Sequence, residues 1–243
     1  MARDAVRVSD LTAAIGLDGD RLTVPPTRFQ LNGAPVEIGG SYEIDRQAFQ
    51  VSGAVTGLAL GPLLDRYAPQ VARVVDGLLD ADIELSGRGA SWETIREQMT
   101  GGGAAKVRNG LLRQLNVAEE VLAGLTGLEG LTTLLSPRLR AAHPGLLQAR
   151  DTPFDAMGGH VRIADERVTT EDFALAAQEH AVTGSGWISF EGAIDLQATF
   201  VAAPALSTDL IGGLKEAHGL LDEQGRMVVP FRLAGMLPGA RPQ

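Results

Sequence analysis

The chain has 243 residues, of which 44% are hydrophobic and 21% charged, a balance that supports a sizeable globular core. Its net charge of −9, with no run of Lys or Arg, argues against a phosphate-backbone partner such as nucleic acid. With no Cys, disulfides and thiolate metal sites are excluded.

At the N-terminus, Asp4, Asp10 and Asp18 interrupt every apolar run, so neither a signal-peptide core nor a membrane-spanning stretch is expected there. The 30 Gly and the 5% aromatic content favour a β-rich fold with tight turns. Strands are expected from about residue 10 to residue 58. Leu60, Leu63, Leu64, Tyr67, Val71, Val74, Val75 and Leu78 then follow helical spacing, interrupted by Pro69, so helices are expected over about 59–80.

In "SWETIREQM", Ser91 is a candidate N-cap for a short helix with Trp92, Ile95 and Met99 near one side. The glycines of "EQMTGGGAAKVRNG" invite comparison with a phosphate loop. The order is wrong for one: they follow a helix, no Gly precedes Lys106, and Val107 stands where Ser or Thr would bind a metal. A helix end followed by a strand that turns at Asn109-Gly110 is the expected structure. Lys106 is then a strand residue on a solvated edge. The Leu-rich segment broken by Gly124, Gly127, Gly130, Pro137 and Pro144 should form several short helices, and "TDLIGGLKEAHGLLDEQG" one more.

The last third alternates most clearly. Val161 and Ile163 precede a turn at Asp165-Glu166, and Val168, Phe173 and Leu175 follow it. Ile188 and Phe190 lead to a turn at Glu191-Gly192, after which Ile194, Leu196, Ala198 and Phe200 alternate with polar residues. Consecutive strands with short turns imply an antiparallel sheet. A shift of 146 residues superposes Arg21, Leu22, Thr23, Val36, Gly40, Tyr42 and Ile44 on Arg167, Val168, Thr169, Val182, Gly186, Ile188 and Phe190. A shift of 145 then superposes Phe49, Val51 and Val55 on Ile194, Leu196 and Phe200, which suggests an internal β-repeat whose copies differ by one turn residue.

Catalytic and metal chemistry find no foothold. His143, His160, His180 and His218 lack ligand spacing, Asp172 and Glu179-His180 read as a solvated strand end, and no G-x-S-x-G elbow occurs. No cofactor and no enzymatic activity are expected. What remains is the apolar face of the sheet, which helices, a second sheet or a ligand must cover.

Three segments resemble the AsmA family. In "ADIELSGRGASWETIREQMTGGGAAKVRNGLL" a strand ending in G-x-G is followed by a Ser-started helix, a T-G turn and a second strand. In "TPFDAMGGHVRIADERVTTEDFALAAQEHAVTGSGWISFEGAIDLQATF", T-x-F leads through two strands to G-x-G-x-I and an I-D-L strand. The final "RMVVPFRLAGMLPGARP" is similar to the family's closing strand. Together they cover about residues 80 to 240.

The resemblance implies an α+β, mainly β fold: a curved antiparallel sheet forming a hydrophobic groove, with short amphipathic helices. Residues 1–243 then form one module, comprising an N-terminal β-repeat (about 10–58), helices (59–80), a core motif (81–112), a helical segment (113–150) and a C-terminal β-repeat (151–240). The family usually carries an N-terminal membrane anchor and projects into the periplasm, where it is implicated in phospholipid movement and outer-membrane integrity. Without that anchor, and much shorter than a periplasm-spanning member, the chain reads as a fragment of a longer protein.

The expected function is non-enzymatic binding or transfer of phospholipid acyl chains. Tyr42, Ile44, Phe49, Val51, Phe173, Leu175, Ile188, Phe190, Ile194, Leu196 and Phe200 are the candidate groove lining. Expected partners are a phospholipid or other acyl-chain ligand and a membrane-anchored part or envelope protein. The alternative is a structural module that pairs through a sheet edge.

Overall fold

Antiparallel pairing of neighbours in chain order organises the molecule in the computed structural model, which describes residues 6–67, 69–125, 137–147, 149–211, 219–237 and 241–242. Thirteen strands form one sheet. They are β1 (Val8–Ser9), β2 (Gly16–Asp18), β3 (Arg21–Leu31), β4 (Ala34–Glu43), β5 (Ala48–Ala59), β6 (Val75–Arg88), β7 (Thr100–Leu112), β8 (Thr152–Ala164), β9 (Arg167–Ala176), β10 (His180–Ser189), β11 (Ala193–Ala202), β12 (Val228–Met236) and β13 (Arg241–Pro242). From β3 to β13 each strand pairs with the next, and the short β1 and β2 both pair with the outer side of β3.

Tight turns are supplied by residues that tolerate positive φ. Asn32 and Gly33 close β3 on β4 at φ 52° and 84°, and Asp165 and Glu166 close β8 on β9 at 51° and 56°. Helices fill the longer connections: α1 (Leu60–Tyr67) and α2 (Pro69–Ala72) after β5, α3 (Trp92–Gln98) after β6, α4 (Val117–Leu125), α5 (Pro137–Ala142) and α6 (Pro144–Leu147) between β7 and β8, and α7 (Pro204–Ile211) after β11. Turns alternate between the two ends of the strands, so among the described residues α3 lies at one end and α1, α2, α4, α5, α6 and α7 at the opposite end.

The register sorts side chains onto two faces. One face is polar. On the other, Leu58, Leu79, Val107, Met157, Leu175, Val182, Phe200 and Val229 are successive cross-strand partners from β5 to β12. The main core lies on this row. Ala118, Val121 and Leu122 of α4, Leu139 of α5, Leu146 of α6 and Leu206 and Leu210 of α7 cluster with Val107, Leu175, Val182, Phe200 and Val229.

Buried polar groups tie the helices down. Asn116 caps α4, accepting from Glu119 N at 3.0 Å, and donates to Leu146 O at 2.6 Å and Ala149 O at 2.7 Å. Thr152 donates to Leu115 O at 2.8 Å and accepts from Val117 N at 3.0 Å. Ser207, fully buried, donates to Ala203 O at 3.0 Å and accepts from Met227 N at 2.9 Å.

Several sequence expectations are corrected. Val75 and Leu78 belong to β6, because the helical spacing ends at Ala72 and the chain turns at Val74. Gly101, Gly102 and Gly103 do not turn the chain. They lie inside β7, and Asn109-Gly110 is also internal to it, with Asn109 at φ 49°. Of the helix expected over "TDLIGGLKEAHGLLDEQG", residues 208–211 lie in α7, and residues 212–218, including His218, fall outside the described set. Beyond them Leu221 forms a bridge with Met227 around a turn at 222–225. Gly127 and Gly130, within 126–136, also fall outside the described set.

The two proposed repeat copies share a register. Leu22, Tyr42 and Phe49 are partners across β3, β4 and β5, as Val168, Ile188 and Ile194 are across β9, β10 and β11. The irregularity between Val24 and Thr27, opposite Gly40 and Ile38, recurs where Thr170 and Phe173 face Gly186 and Gly184. A bulge at the same place in both sets skews the strands at equivalent points.

Candidate functional site

The helices leave part of the apolar face uncovered. Nearer the α3 end of the strands, a second row runs Val24, Gly40, Val51, Leu85, Gly101, Ile163, Val168, Ile188, Ile194, Gly235, each the register partner of the next from β3 to β12. Every apolar side chain in it is half-buried. With about 4.8 Å between strands, the row extends roughly 43 Å. Beside it, Thr27, Ile38, Gly53, Ile83, Gly103 and Val161 form another cross-strand row, in which Ile38 is 39% exposed.

Glycine is required in this floor. A Cβ on Gly101 would collide with the Glu84 carbonyl, and one on Gly103 with that of Asp82; Gly103 also holds φ 155°. At Gly87 a Cβ would fall 2.8 Å from the Phe49 ring, which covers that glycine from the neighbouring strand. The glycines therefore let β6 and β7 approach closely and leave shallow gaps between the branched side chains.

The eleven candidate lining residues divide between the two zones. Tyr42, Phe49 and Val51, with Ile188 and Ile194, stand half-buried on or beside the uncovered row; Ile44 lies in the β4–β5 turn, 47% exposed, and Phe190 in the β10–β11 turn. Leu175, Leu196 and Phe200 are 3%, 9% and 0% exposed in the core cluster, and Phe173 packs against it. Val24, Ile38, Ile83 and Leu85 were not among the candidates. The alternation in "ADIELSG" carries the signal for the last two.

The polar face is charged and locally paired. Asp80 accepts from Gly57 N at 2.8 Å and from both Nε and Nη2 of Arg108. Those guanidinium bonds outweigh partial desolvation and hold its carboxyl at about 2. Lys106 is exposed on β7 opposite Asp80. Asp172 and Glu179 each pair with a histidine: Asp172 binds His160, with Nδ1 to Oδ2 at 2.6 Å, and Glu179 binds His143.

His180 is no solvated strand end. It is 4% exposed, stacked on Phe200 with ring centroids 5.0 Å apart, and neither ring nitrogen has a partner among the described residues. Burial, only slightly offset by the Glu179 charge, pushes it down to about 4. His143 shows the opposite behaviour. Its Nδ1 meets Glu179 at 2.7 Å and its Nε2 meets Asp209 at 2.9 Å, so although burial opposes charge, the two carboxylates prevail and raise its pKa above 6.5. The imidazolium joins the α5–α6 junction to the β9–β10 turn and to α7.

Among the described residues no group of three or more His, Asp or Glu is placed to hold a metal ion, and no helix is long and apolar enough to cross a membrane. The AsmA family model matches residues 1–173. The chain belongs to the AsmA family. No curated protein and no solved structure matches it. The matched AsmA region runs through β8 and ends within β9, and so contains the N-terminal half of the uncovered row.

Proposed function

We propose that this AsmA-family chain is a non-enzymatic module of the bacterial cell envelope that holds phospholipid acyl chains in a hydrophobic groove on the apolar face. The supporting observation is the row from Val24 to Ile194, half-exposed on every strand it crosses where a purely structural sheet would be covered. Its extent of roughly 38 Å exceeds an extended acyl chain. Each Å² of acyl surface that it removes from water contributes about 25 cal/mol, so affinity comes from length of contact.

The helical cap sets the lateral limit of the groove. Leu175, Leu196 and Phe200 serve the core under α4 and α7, while Tyr42, Phe49, Val51, Ile188 and Ile194 meet the ligand. On this reading the module works in the periplasm, supporting outer-membrane biogenesis beside a membrane-anchored part or an envelope partner, and the AsmA family match is what supports an envelope setting.

The alternative of pairing through a sheet edge has less support. The strands at the two edges, β1 and β2 beside β3 and β13 beside β12, are only two or three residues long, so an added strand would gain few ladder bonds from them.

Native mass spectrometry of detergent-free protein should detect co-purifying phospholipid, and a fluorescent acyl probe should bind and be displaced by it. Absence of both would show the face to be packing surface only.

A further inference from the structure

At the strand ends nearest α3, the polar face carries a hollow of about 430 Å³ that the acyl-binding reading does not use. Arg21, Glu43, Ala48 and Arg88 are register partners on β3, β4, β5 and β6, so they share one face, with the small Ala48 leaving space between the arginines. Arg46 enters from the β4–β5 turn, and Ser41, Gln50 and Ser86 add neutral donors from the next row. The same Arg21, Ser41, Gln50 and Ser86 border an adjoining hollow of about 940 Å³.

Pairing sets these arginines apart. Arg28, Arg96, Arg108, Arg113, Arg226 and Arg232 each meet a carboxylate. In a chain whose acidic residues outnumber its basic ones by 30 to 21, Arg21 and Arg88 meet none among the described residues. Among the described residues the Arg21 side chain donates to Ser41 Oγ, at 3.1 Å. Glu43, the single carboxylate of the smaller hollow, is held by Arg46 at 3.2 Å, and Asp18, opposite Arg21 on β2, does not line it.

We propose that this hollow binds a phosphate group. Guanidiniums from two strands and a turn approach from different directions, which suits a tetrahedral anion with several oxygens; a carboxylate would be satisfied by one fork. Phe49 and Gly87 also border the hollow, one residue along β5 and β6 from Ala48 and Arg88, and they belong to the apolar face. Resting on the acyl-binding reading, the phosphate is that of a phospholipid whose headgroup sits at this rim while its chains lie over Phe49 and Val51.

Calorimetric titration of the full chain with dihexanoyl phosphatidylglycerol below its micelle concentration, and separately with inorganic phosphate, tests this. The lipid should bind, weaken at least about tenfold in R21Q/R88Q as two charge-assisted contacts are lost, and tighten in E43Q. Circular dichroism checks folding, and E43Q serves if the double variant does not fold. A neutral fluorescent fatty-acid methyl ester, read in parallel, should bind wild type and R21Q/R88Q alike. Inorganic phosphate that binds as tightly as the lipid, with the same response to both variants, would assign the hollow to a free phosphate and overturn the headgroup. Lipid affinity indifferent to R21Q/R88Q and E43Q would overturn the site. Failure of the methyl ester alone would remove the acyl groove and leave the phosphate site standing.

Discussion

The ring of Phe154 lies over Gly110, its register partner across β7 and β8, so closely that a Cβ on the glycine would collide with it. Phe154 is 4% exposed and belongs to the main core. The aromatic ring supplies over the glycine the packing that a side chain there would otherwise give. Gly110→Ala is therefore expected to destabilise the fold by about 1–3 kcal/mol through overpacking, and Phe154→Ala by about 3–5 kcal/mol through cavity formation, in denaturant unfolding. A neutral G110A variant would mean that the ring moves aside freely.

The helical cap depends on Asn116. Its buried side chain satisfies the first turn of α4, the Leu146 carbonyl within α6 and the Ala149 carbonyl just after it. Asn116→Ala removes a cap worth about 1 kcal/mol and strands buried acceptors that each cost about 1–3 kcal/mol. Hydrogen exchange should show α4 and α6 losing protection before β9 to β11. Uniform loss across the sheet would mean that cap and sheet unfold as one unit.

Two histidines give stability opposite dependences on pH. The folded pKa of His143 is raised, so its contribution is complete below about 6.5 and disappears as pH rises through the higher folded value. For His180 the folded value is depressed to about 4, so the unfolded chain takes up the proton first, and stability is lost as pH falls from about 6.5 towards 4. That difference corresponds to roughly 3 kcal/mol at the acid limit. His143→Ala should flatten the alkaline side of a melting-temperature profile, and His180→Leu the acid side. Profiles unchanged in both variants would remove this account.

Period-two alternation made much of the sheet legible. It locates β8 to β11, and the offset between the repeat copies carries the register that pairs Leu22 with Tyr42 and Val168 with Ile188. Helical spacing misleads at Val75 and Leu78 because β6 begins only three residues after α2, and apolar residues in a short window fit either period. The glycines at 101–103 mislead for another reason. Gly101 and Gly103 permit close approach to β6 and Gly102 to β8, contacts between strands that no local pattern expresses. Alternation likewise assigns Leu175 and Phe200 to the apolar face, as it does Val51, but which of them the helices cover depends on where α4 and α7 dock.

That division between covered and uncovered residues yields the last prediction. Val51 and Leu85 are neighbours in the half-exposed row, so a charge there keeps access to water and should cost little stability, yet it places an ion in the path of an acyl chain. The Val51→Asp/Leu85→Glu double variant is expected to fold with a melting temperature within a few degrees of wild type and to lose acyl-probe binding. Phe200→Ala should do the reverse, because Phe200 is fully buried under the helices: stability falls by about 3–5 kcal/mol while the folded fraction still binds the probe. Thermal melts beside probe titrations separate the cases. Probe binding that survives V51D/L85E and disappears in F200A would place the ligand under the helical cap and not on the open row.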